Sequence, residues 1–594
     1  MLMRIKHTLG LPLLGLALWI GSAVPAQAED PQHFDGYKIV HVVLQEQAEL
    51  DALESMGVNI LNCASGVGPL DLLVSPAELR DVERRGIPYG VKNENVRAFV
   101  ERERLPASNA VAGGDPFSDF FLAYHPYGDA ATVDSIVWYM NELMVRYPGL
   151  VSMVSMGTTV EGRTIWGLLV TNQATTNKPG VLYFGCEHAR EWITTTIVPF
   201  FATHLLENYG TDAAITDLVD NVEFYLVPVF NVDGYVYTWS STSNRFWRKN
   251  RRHNGGTSYG VDLNRNWGQG WGGEGSSGAS TSDIYRGPVP FSEVETQAFR
   301  NFFLSHSNVR AQADIHSYSQ LILWPYGHQE SLPPDQSPFA DVGFGMQDDI
   351  LNVHSRYYDA GPTYTTIYPA SGVSVDWTYM QRDVLSFAFE CRDTGAFGFD
   401  LPANQIIPNG EEMVPALLRL SNSEWVRSAP KPTVVVEGSR YLSVDPAGVV
   451  SNVAIRVTSP DYPCMDKFAT SSGLLEDAPE LQTATAWGTR RIADGPLVPL
   501  KRYDVSIVYE DGHSSDPVPI TMGRFADVRS PYGLVNFQDI SAMVARFQGV
   551  ATAPSVQLCD LSPETPDGIV TFTDIMRAVD VFMSRPYPFA VPCP

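Results

Sequence analysis

The sequence predicts an α/β protein built from several units. A large mixed-sheet domain with helices on both faces is preceded by a small α+β sandwich and followed by a β-sandwich module and a small helical module. Three observations lead to this prediction. Apolar runs alternate with long helical patterns from residue 115 to 427. Helical patterns then stop, and apolar alternation between turn signals takes over. At 594 residues, the chain is too long for one ordinary domain.

The first element is a secretory signal peptide, predicted over residues 1–28. Arg4 and Lys6 precede a short apolar run, and Ala26-Gln27-Ala28 gives an A-x-A exit. That run is too short for a lasting membrane span, and no later segment reaches the required length. We therefore expect a secreted, periplasmic or cell-surface protein without a membrane span. The net charge of −26 argues against nucleic acid as a partner.

Residues 29–114 are predicted to form the α+β sandwich and a linker. Strand and helix patterns follow the order βαββα between residues 37 and 85, and Ser75 before Pro76 is typical of a helix N-cap. Small and polar residues dominate the end of this segment, up to residue 114. Such a linker is exposed to proteolysis.

Residues 115–427 are predicted to form the large domain around a buried sheet. Its predicted strands are 149–156, 165–171, 180–186, 222–230, 310–316 and 384–390. Its predicted helices include 133–146, 190–208 and 292–306.

Two modules are predicted after the large domain: a β-sandwich at 428–525 and a helical module at 526–594. The helical module contains two similar units that begin at Gly533 and Gly568. Residues 567–574 resemble the second half of a calcium loop of the dockerin or EF-hand type, which implies Ca²⁺ there. The alternative is a helical pair held by apolar packing alone. We expect both modules to attach the protein to a surface or to a protein partner.

The strongest chemical signal is His188 with Glu191, placed where the predicted strand 180–186 ends. In open α/β sheets the carboxyl ends of strands carry the chemistry, and His with carboxylate is a zinc-type ligand pair. His204 and Glu207 have the same spacing inside the following helix, where we expect no metal site.

Further candidates follow two other predicted strands. His316 adds a third ligand and leaves a fourth position open, as in catalytic zinc sites. Glu390 ends the strand 384–390, and a carboxylate there is costly unless it is used or paired. It could act as a general base on a zinc-activated water and then pass the proton to the leaving amine. Arginines at 245, 248 and 265 could bind a carboxylate or stabilise an oxyanion.

These motifs resemble the pancreatic-type zinc metallocarboxypeptidases, the carboxypeptidase A/B family, over residues 116 to 427. In chain order the motifs are His188-Ala189-Arg190-Glu191-Trp192-Ile193-Thr194, Asn231-Val232-Asp233-Gly234-Tyr235, Asn244-Arg245-Phe246-Trp247-Arg248-Lys249, Val261-Asp262-Leu263-Asn264-Arg265-Asn266-Trp267, His316-Ser317-Tyr318-Ser319-Gln320, Thr366-Ile367-Tyr368-Pro369-Ala370-Ser371-Gly372 and Phe389-Glu390-Cys391-Arg392-Asp393-Thr394-Gly395.

The resemblance implies a role for each matching residue. His188, Glu191 and His316 would bind one Zn²⁺, Glu390 would be the general acid/base, and Arg248 would polarise the scissile carbonyl. The terminal carboxylate would be bound by Asn264, Arg265 and Tyr368, and the neighbouring subsites would be lined by Arg190, Ser317 and Tyr318. The N-terminal sandwich would be an inhibitory pro-segment, removed near 102–114 by an activating protease.

Val375 lies where the family carries an acid in members that prefer Lys and Arg. An uncharged residue there implies a preference for aliphatic or aromatic C-terminal residues of peptides and proteins. Val373 departs from the glycine of many relatives and would narrow the pocket. The resemblance therefore implies a zinc exopeptidase made as a zymogen. The alternatives are a zinc amidase acting on small acylated amino acids and an inactive surface-binding relative.

Overall fold

The computed structural model describes residues 33–61, 67–104, 115–174, 178–427, 432–437, 439, 441–446, 452–493, 497–509, 514–515, 517–523, 525–527, 535–550, 552–562 and 569–585. The predicted signal peptide, most of the predicted linker (105–114) and residues 567–568 of the predicted calcium loop lie outside these residues. None of the helices in the described ranges combines the length and the hydropathy of a membrane-crossing segment.

The largest sheet in the described part of the chain is mixed and has eight strands. In spatial order these are Asp359–Pro362, Leu321–Trp324, Leu385–Cys391, Val309–Ser317, Gly180–Gly185, Glu223–Val227, Thr164–Val170 and Val151–Thr158. Val309–Ser317 is parallel to both of its neighbours, Leu385–Cys391 and Gly180–Gly185. The carboxyl ends of these three strands therefore meet at one edge of the sheet.

Helices cover both faces of this sheet, as adjacent residues of one strand demonstrate. Tyr183 packs against Phe201 of the helix Thr194–Asn208, whereas Phe184 packs against Phe299 of the helix Val294–Ser305. Successive strand residues point to opposite faces. The other helices of eight or more residues in this domain are Ile136–Arg146, Ala213–Asn221, Val232–Ser240, Gln336–His354, Ser374–Arg382 and Ile406–Ser421.

The predicted α/β architecture is confirmed, with local differences that include an unpredicted two-stranded sheet of His253–Gly255 and Ser258–Tyr259. The strands Leu321–Trp324 and Asp359–Pro362 were not predicted, because each is only four residues long. The helix expected from residue 190 begins at Thr194. Before it, the amide of Glu191 donates to the His188 carbonyl and the amide of Thr194 donates to the Glu191 carbonyl, so this segment forms turns.

The N-terminal unit is a four-stranded antiparallel sheet with helices, which agrees with the predicted α+β sandwich. Its strands lie in the order Asn59–Ile60, Pro69–Val74, Lys38–Val43 and Tyr89–Asn93, and its helices are Gln47–Ser55, Pro76–Arg84 and Val96–Glu103. Ser75 caps its helix by accepting from the amide of Glu78, as predicted. The strand Tyr89–Asn93 was not predicted, since its residues show no apolar alternation.

The C-terminal part contains the predicted β-rich and helical regions. One sheet is formed by Thr433–Val436, Leu442–Asp445 and Arg490–Ile492. The other is formed by Leu475–Glu476, Asp466–Ala469, Asn452–Thr458, Arg502–Tyr509 and Val518–Thr521. The short strand Gln482–Thr483 also pairs with Asn452–Thr458. Residues from both sheets share one apolar core, which makes this region a sandwich. The helices Phe537–Phe547, Val556–Cys559 and Phe572–Phe582 follow.

Candidate functional site

The three predicted metal ligands converge at the carboxyl edge of the large sheet. His188 and Glu191 follow the strand Gly180–Gly185, and His316 lies near the end of the neighbouring parallel strand. The ligand atoms of these residues all lie within 4.8 Å of one another, and all three side chains are buried. The His188 Nδ1 atom is 2.8 Å from Glu191 Oε1 and 3.1 Å from His316 Nδ1.

This donor set fits a zinc ion. Two imidazole nitrogens and a carboxylate are ligands that Zn²⁺ prefers, and three protein ligands leave one coordination position for water or substrate. The two Nδ1 atoms face each other at 3.1 Å, and His316 Nδ1 is also 3.1 Å from Glu191 Oε2. A single cation between these atoms would satisfy all three groups at once.

Three further acids surround the two imidazoles, and the sequence reasoning assigned them no role. Asp262 Oδ1 lies 3.1 Å from His188 Nε2. Asp314 Oδ1 lies 3.0 Å from His316 Nε2, and Glu187 Oε2 lies 3.7 Å from the same nitrogen. Asp262 stood within a recognised motif, and the position of Asp314 two residues before His316 was the available signal, because residues i and i+2 of a strand share a face.

Glu390 lies on the next strand, beside the metal cluster, that is, the three candidate zinc ligands His188, Glu191 and His316. It is paired in register with His316, so the two residues are direct neighbours across the sheet. Burial raises the pKa of Glu390 to about 8, the nearby Glu191 adds to this, and His316 and Arg248 oppose it. A carboxyl group with a raised pKa can both accept and return a proton near neutral pH.

Arg248 also lies beside the candidate zinc ligands. Its Nη2 donates to Asp262 Oδ2 at 2.8 Å, and its Nη1 lies 3.9 Å from Glu191 Oε1. Asp262 therefore contacts both a candidate ligand, His188, and this guanidinium. Although burial opposes it, the positive charge of Arg248 holds the pKa of Asp262 well below its usual range.

The residues predicted to bind a terminal carboxylate lie together next to the metal cluster. Arg265 donates to the carbonyls of Gly275 and Asn264, but its Nη2 is buried and has no hydrogen-bond partner among the described residues. Asn264 Nδ2 lies 3.2 Å from His316 Nε2. The guanidinium carbon of Arg265 is 6.0 Å from the centre of the Tyr368 ring. An unpaired buried cationic donor is costly and marks a place for an anionic ligand.

Val375 belongs to a small apolar cluster near this group. The buried members of the cluster are Leu323, Ala370, Val373, Val375 and Ala388. Tyr368 packs against it, so the apolar surface adjoins the predicted carboxylate site.

The remaining predicted subsite residues are close to the metal cluster and to the N-terminal unit. The amide of Ser317 donates to Glu191 Oε2 at 3.3 Å. Arg190 donates from Nη2 to the carbonyl of Leu61 at 2.9 Å, and the hydroxyl of Tyr318 donates to Asp71 Oδ2 at 2.5 Å. Leu61 and Asp71 belong to the N-terminal unit, which therefore contacts two of the predicted subsite residues.

Two other predictions can be compared with the structure. His204 and Glu207 lie within the helix Thr194–Asn208, and neither belongs to a candidate metal-ligand group among the described residues. In the C-terminal module, Asp574 accepts hydrogen bonds from the amides of Leu561, Ser562 and Thr571. The carboxylate predicted to close a calcium loop therefore accepts from backbone amides and takes part in the N-terminal cap of the helix Phe572–Phe582.

The large domain is similar in sequence to known carboxypeptidases. A sequence profile described as zinc carboxypeptidase matches residues 136–416. Carboxypeptidase A1 of Rattus norvegicus is 36% identical over 402 residues, which are 66% of this chain and 94% of that protein. Carboxypeptidase A2 of Mus musculus is 40% identical over 343 residues, 57% of this chain and 79% of that protein.

Solved structures are similar over the same share of the chain. The crystal structure of thrombin activatable fibrinolysis inhibitor matches with a TM-score of 0.60 and 28% identity, covering 66% of this chain and 98% of that one. Carboxypeptidase A from Helicoverpa armigera matches with a TM-score of 0.56 and 27% identity, covering 66% and 99%.

Proposed function

The chain belongs to the zinc carboxypeptidase family, and on that basis we propose that it is the zymogen of a secreted exopeptidase that removes hydrophobic or aromatic residues from the C terminus of peptides. The observation that carries this proposal is the convergence of His188, Glu191 and His316 beside an unpaired buried arginine donor at Arg265. The three clustered residues would bind a metal ion, and the arginine would bind the free carboxylate at the end of a peptide.

The metal site and Glu390 supply the chemistry of peptide hydrolysis. Zinc bound by the three ligands would lower the pKa of water and polarise a carbonyl group. Glu390, next to His316 in the sheet, takes a proton from the attacking water on its carboxylate and passes it to the leaving nitrogen. Arg248, oriented by Asp262, donates to the oxygen of the scissile carbonyl as negative charge develops there.

Selectivity for the end of a chain follows from the carboxylate site. Arg265 Nη2 and the amide of Asn264 are donors for a terminal carboxylate, and Tyr368 lies over the same site. A charged donor paired with a carboxylate contributes more than a neutral hydrogen bond. A substrate with an amidated C terminus would leave this arginine unpaired, so it should be a poor substrate.

The side-chain preference is proposed from the apolar cluster around Val375. A cationic side chain buried against Val373, Val375 and Ala388 would lose its hydration without gaining a partner, whereas an aliphatic or aromatic one would bury apolar surface. We therefore assign the preference to uncharged, apolar C-terminal residues.

The zymogen proposal is supported by the contacts of the N-terminal unit. Its residues Leu61 and Asp71 engage Arg190 and Tyr318, two residues that would otherwise line the substrate subsites. Cleavage by an activating protease after the helix Val96–Glu103 would separate this unit from the cleft. Secretion is proposed from the signal-peptide pattern at 1–28. The modules after residue 430 lie beyond the family match, and we propose that they serve attachment.

The test is hydrolysis by the trypsin-nicked full chain. Blocked dipeptides ending in Phe, Leu, Lys and Glu are compared with the C-terminally amidated Phe substrate, each with and without a chelator. We expect chelator-sensitive release of Phe and Leu, much slower release of Lys and Glu, and no cleavage of the amide. Release of no C-terminal residue would support a binding protein instead, and cleavage confined to the acyl group of acylated amino acids would support an amidase.

A further inference from the structure

We propose that Asp314, together with Glu187, is a positioning residue for His316 and strengthens zinc binding by fixing the orientation and the protonated nitrogen of that imidazole. The proposal rests on the proposed zinc function, because it assigns to these two acids a role toward the metal site. Neither acid is one of the three ligands.

The two ring nitrogens of His316 have different surroundings. Nδ1 faces His188 Nδ1 and Glu191 Oε2, each at 3.1 Å, which is the side of the metal cluster. Nε2 faces Asp314 Oδ1 at 3.0 Å, Asn264 Nδ2 at 3.2 Å and Glu187 Oε2 at 3.7 Å. When Nδ1 binds a metal, the neutral ring carries its proton on Nε2. The proton then points to the side where two carboxyl groups lie.

Asp314 is suited to accept this proton. Its Oδ1 is buried and accepts no hydrogen bond of good geometry from the described residues. Its Oδ2 accepts from the hydroxyl of Ser374 at 2.5 Å. A buried carboxylate oxygen without a donor is costly, and the Nε2 proton is a donor within reach. Ser374 begins the helix Ser374–Arg382, so the carboxylate is fixed from a second element.

Glu187 adds a second carboxyl group on the same side of the ring. Its Oε1 accepts from Trp267 Nε1 at 2.9 Å, and its Oε2 is a buried atom without a hydrogen-bond partner among the described residues. Glu187 and Asp314 are both fully buried. The two acids also contact each other, and the His316 ring lies between them and the other two candidate ligands, His188 and Glu191.

The arrangement mirrors the one at His188. There, Nδ1 faces the metal cluster and Nε2 lies 3.1 Å from Asp262 Oδ1. Both imidazoles are therefore backed by an aspartate on the side away from the metal. Carboxylates in this position raise ligand basicity and restrict ring rotation, and their removal costs 10- to 100-fold in metal affinity in other zinc proteins.

The test is the zinc affinity of Asp314→Asn in the full chain, measured by competition with a chromophoric chelator. We expect the dissociation constant for zinc to rise by about 10- to 100-fold. The rise in Tm on adding zinc should shrink, while the Tm of the metal-free variant stays close to that of the metal-free wild type. With Co²⁺ in place of zinc, the visible spectrum should change, since the imidazole is less constrained.

Asp233→Asn is the matched control. Asp233 is equally buried, and it accepts hydrogen bonds from Thr159, Glu161 and Arg163, none of which is a metal ligand. This variant should lose Tm equally in the metal-free and zinc-loaded forms and keep its zinc affinity. Should Asp314→Asn fail to fold, Ser374→Ala removes the hydroxyl that fixes Asp314, and its zinc affinity should fall severalfold.

Two results would overturn the inference: unchanged zinc affinity in a folded Asp314→Asn or Ser374→Ala variant, or a second zinc bound by wild type and lost in Asp314→Asn. The second result would mean that Glu187, Asp314 and His316 form a metal site of their own. Failure of the proposed function is separate, because it would appear in wild type as an absence of zinc binding or of C-terminal release.

Discussion

Glu103 and Arg245 form a buried ion pair that joins the last helix of the N-terminal unit to the catalytic domain. Arg245 Nε lies 2.9 Å from Glu103 Oε2, and Nη2 lies 3.3 Å from Oε1. The same guanidinium donates to the carbonyls of Arg190 and Phe399. Glu103 therefore lies close to the start of the linker, and its partner Arg245 contacts the backbone of Arg190, a predicted subsite residue.

Glu103→Gln should accelerate activation. Removing one charge of a buried pair costs up to about 3–5 kcal/mol, although Asp400 remains as a second acid near Arg245. The N-terminal unit of this variant should therefore release more readily, so that activity appears sooner during trypsin treatment. Glu101→Gln is the control, because Glu101 is on the same helix but exposed and paired with Arg97 of that helix. Identical time courses for both variants would contradict a role of the ion pair in docking.

Glu390→Gln should keep the metal and lose turnover. The amide cannot accept and return a proton, so kcat of the activated enzyme should fall by about 10²- to 10⁴-fold. Zinc content should be unchanged, because Glu390 is not one of the three clustered ligands. Glu411→Gln, a surface change at a residue paired with His354, should leave both quantities unchanged. Wild-type kcat in the Glu390 variant would remove this residue from the proposed role.

The sequence predicts the fold well wherever one apolar strand is long enough to be buried. The strands ending near His188, His316 and Glu390 are predicted to within about two residues, and these strands bring the site together. Leu321–Trp324 and Asp359–Pro362 escape prediction because four residues carry too little periodicity. They extend one edge of the sheet and do not change its centre.

The contacts of Asp314 and Glu187 with the His316 imidazole could not be predicted from the sequence in the same way. Asp314 shares a strand face with His316, but nothing in the sequence distinguishes it from other strand residues, and Glu187 lies beside His316 Nε2 only because the strands Gly180–Gly185 and Val309–Ser317 pair. The contacts between Asp71 and Tyr318 or Leu61 and Arg190 join residues more than 100 positions apart. Side-chain contacts at such separations depend on the docking of two units, which no local pattern specifies.

Val375→Asp should shift the preference toward basic C-terminal residues. Val375 is 2% exposed within the apolar cluster, so a carboxylate there lacks a partner unless the substrate provides a cation. The ratio of kcat/KM for Lys-ending to Phe-ending dipeptides should rise at least about tenfold. Val375→Asn matches the shape of Asp without its charge and should weaken Phe cleavage without improving Lys cleavage. An equal ratio in both variants would show that Val375 does not contact the substrate side chain.

Glu295 should make the stability of the catalytic domain fall with rising pH. Burial raises its pKa from 4.5 to about 7, although the Val160 amide and Asn250 donate hydrogen bonds to it. The folded state then binds this proton more tightly than the unfolded state, so the stabilisation, about 3 kcal/mol, is complete below pH 4.5 and lost as the pH rises through 7. Glu295→Gln cannot ionise, and its Tm relative to wild type should therefore increase between pH 5 and pH 8. The exposed Glu424→Gln should show no such trend, and a pH-independent difference for Glu295→Gln would refute the assignment.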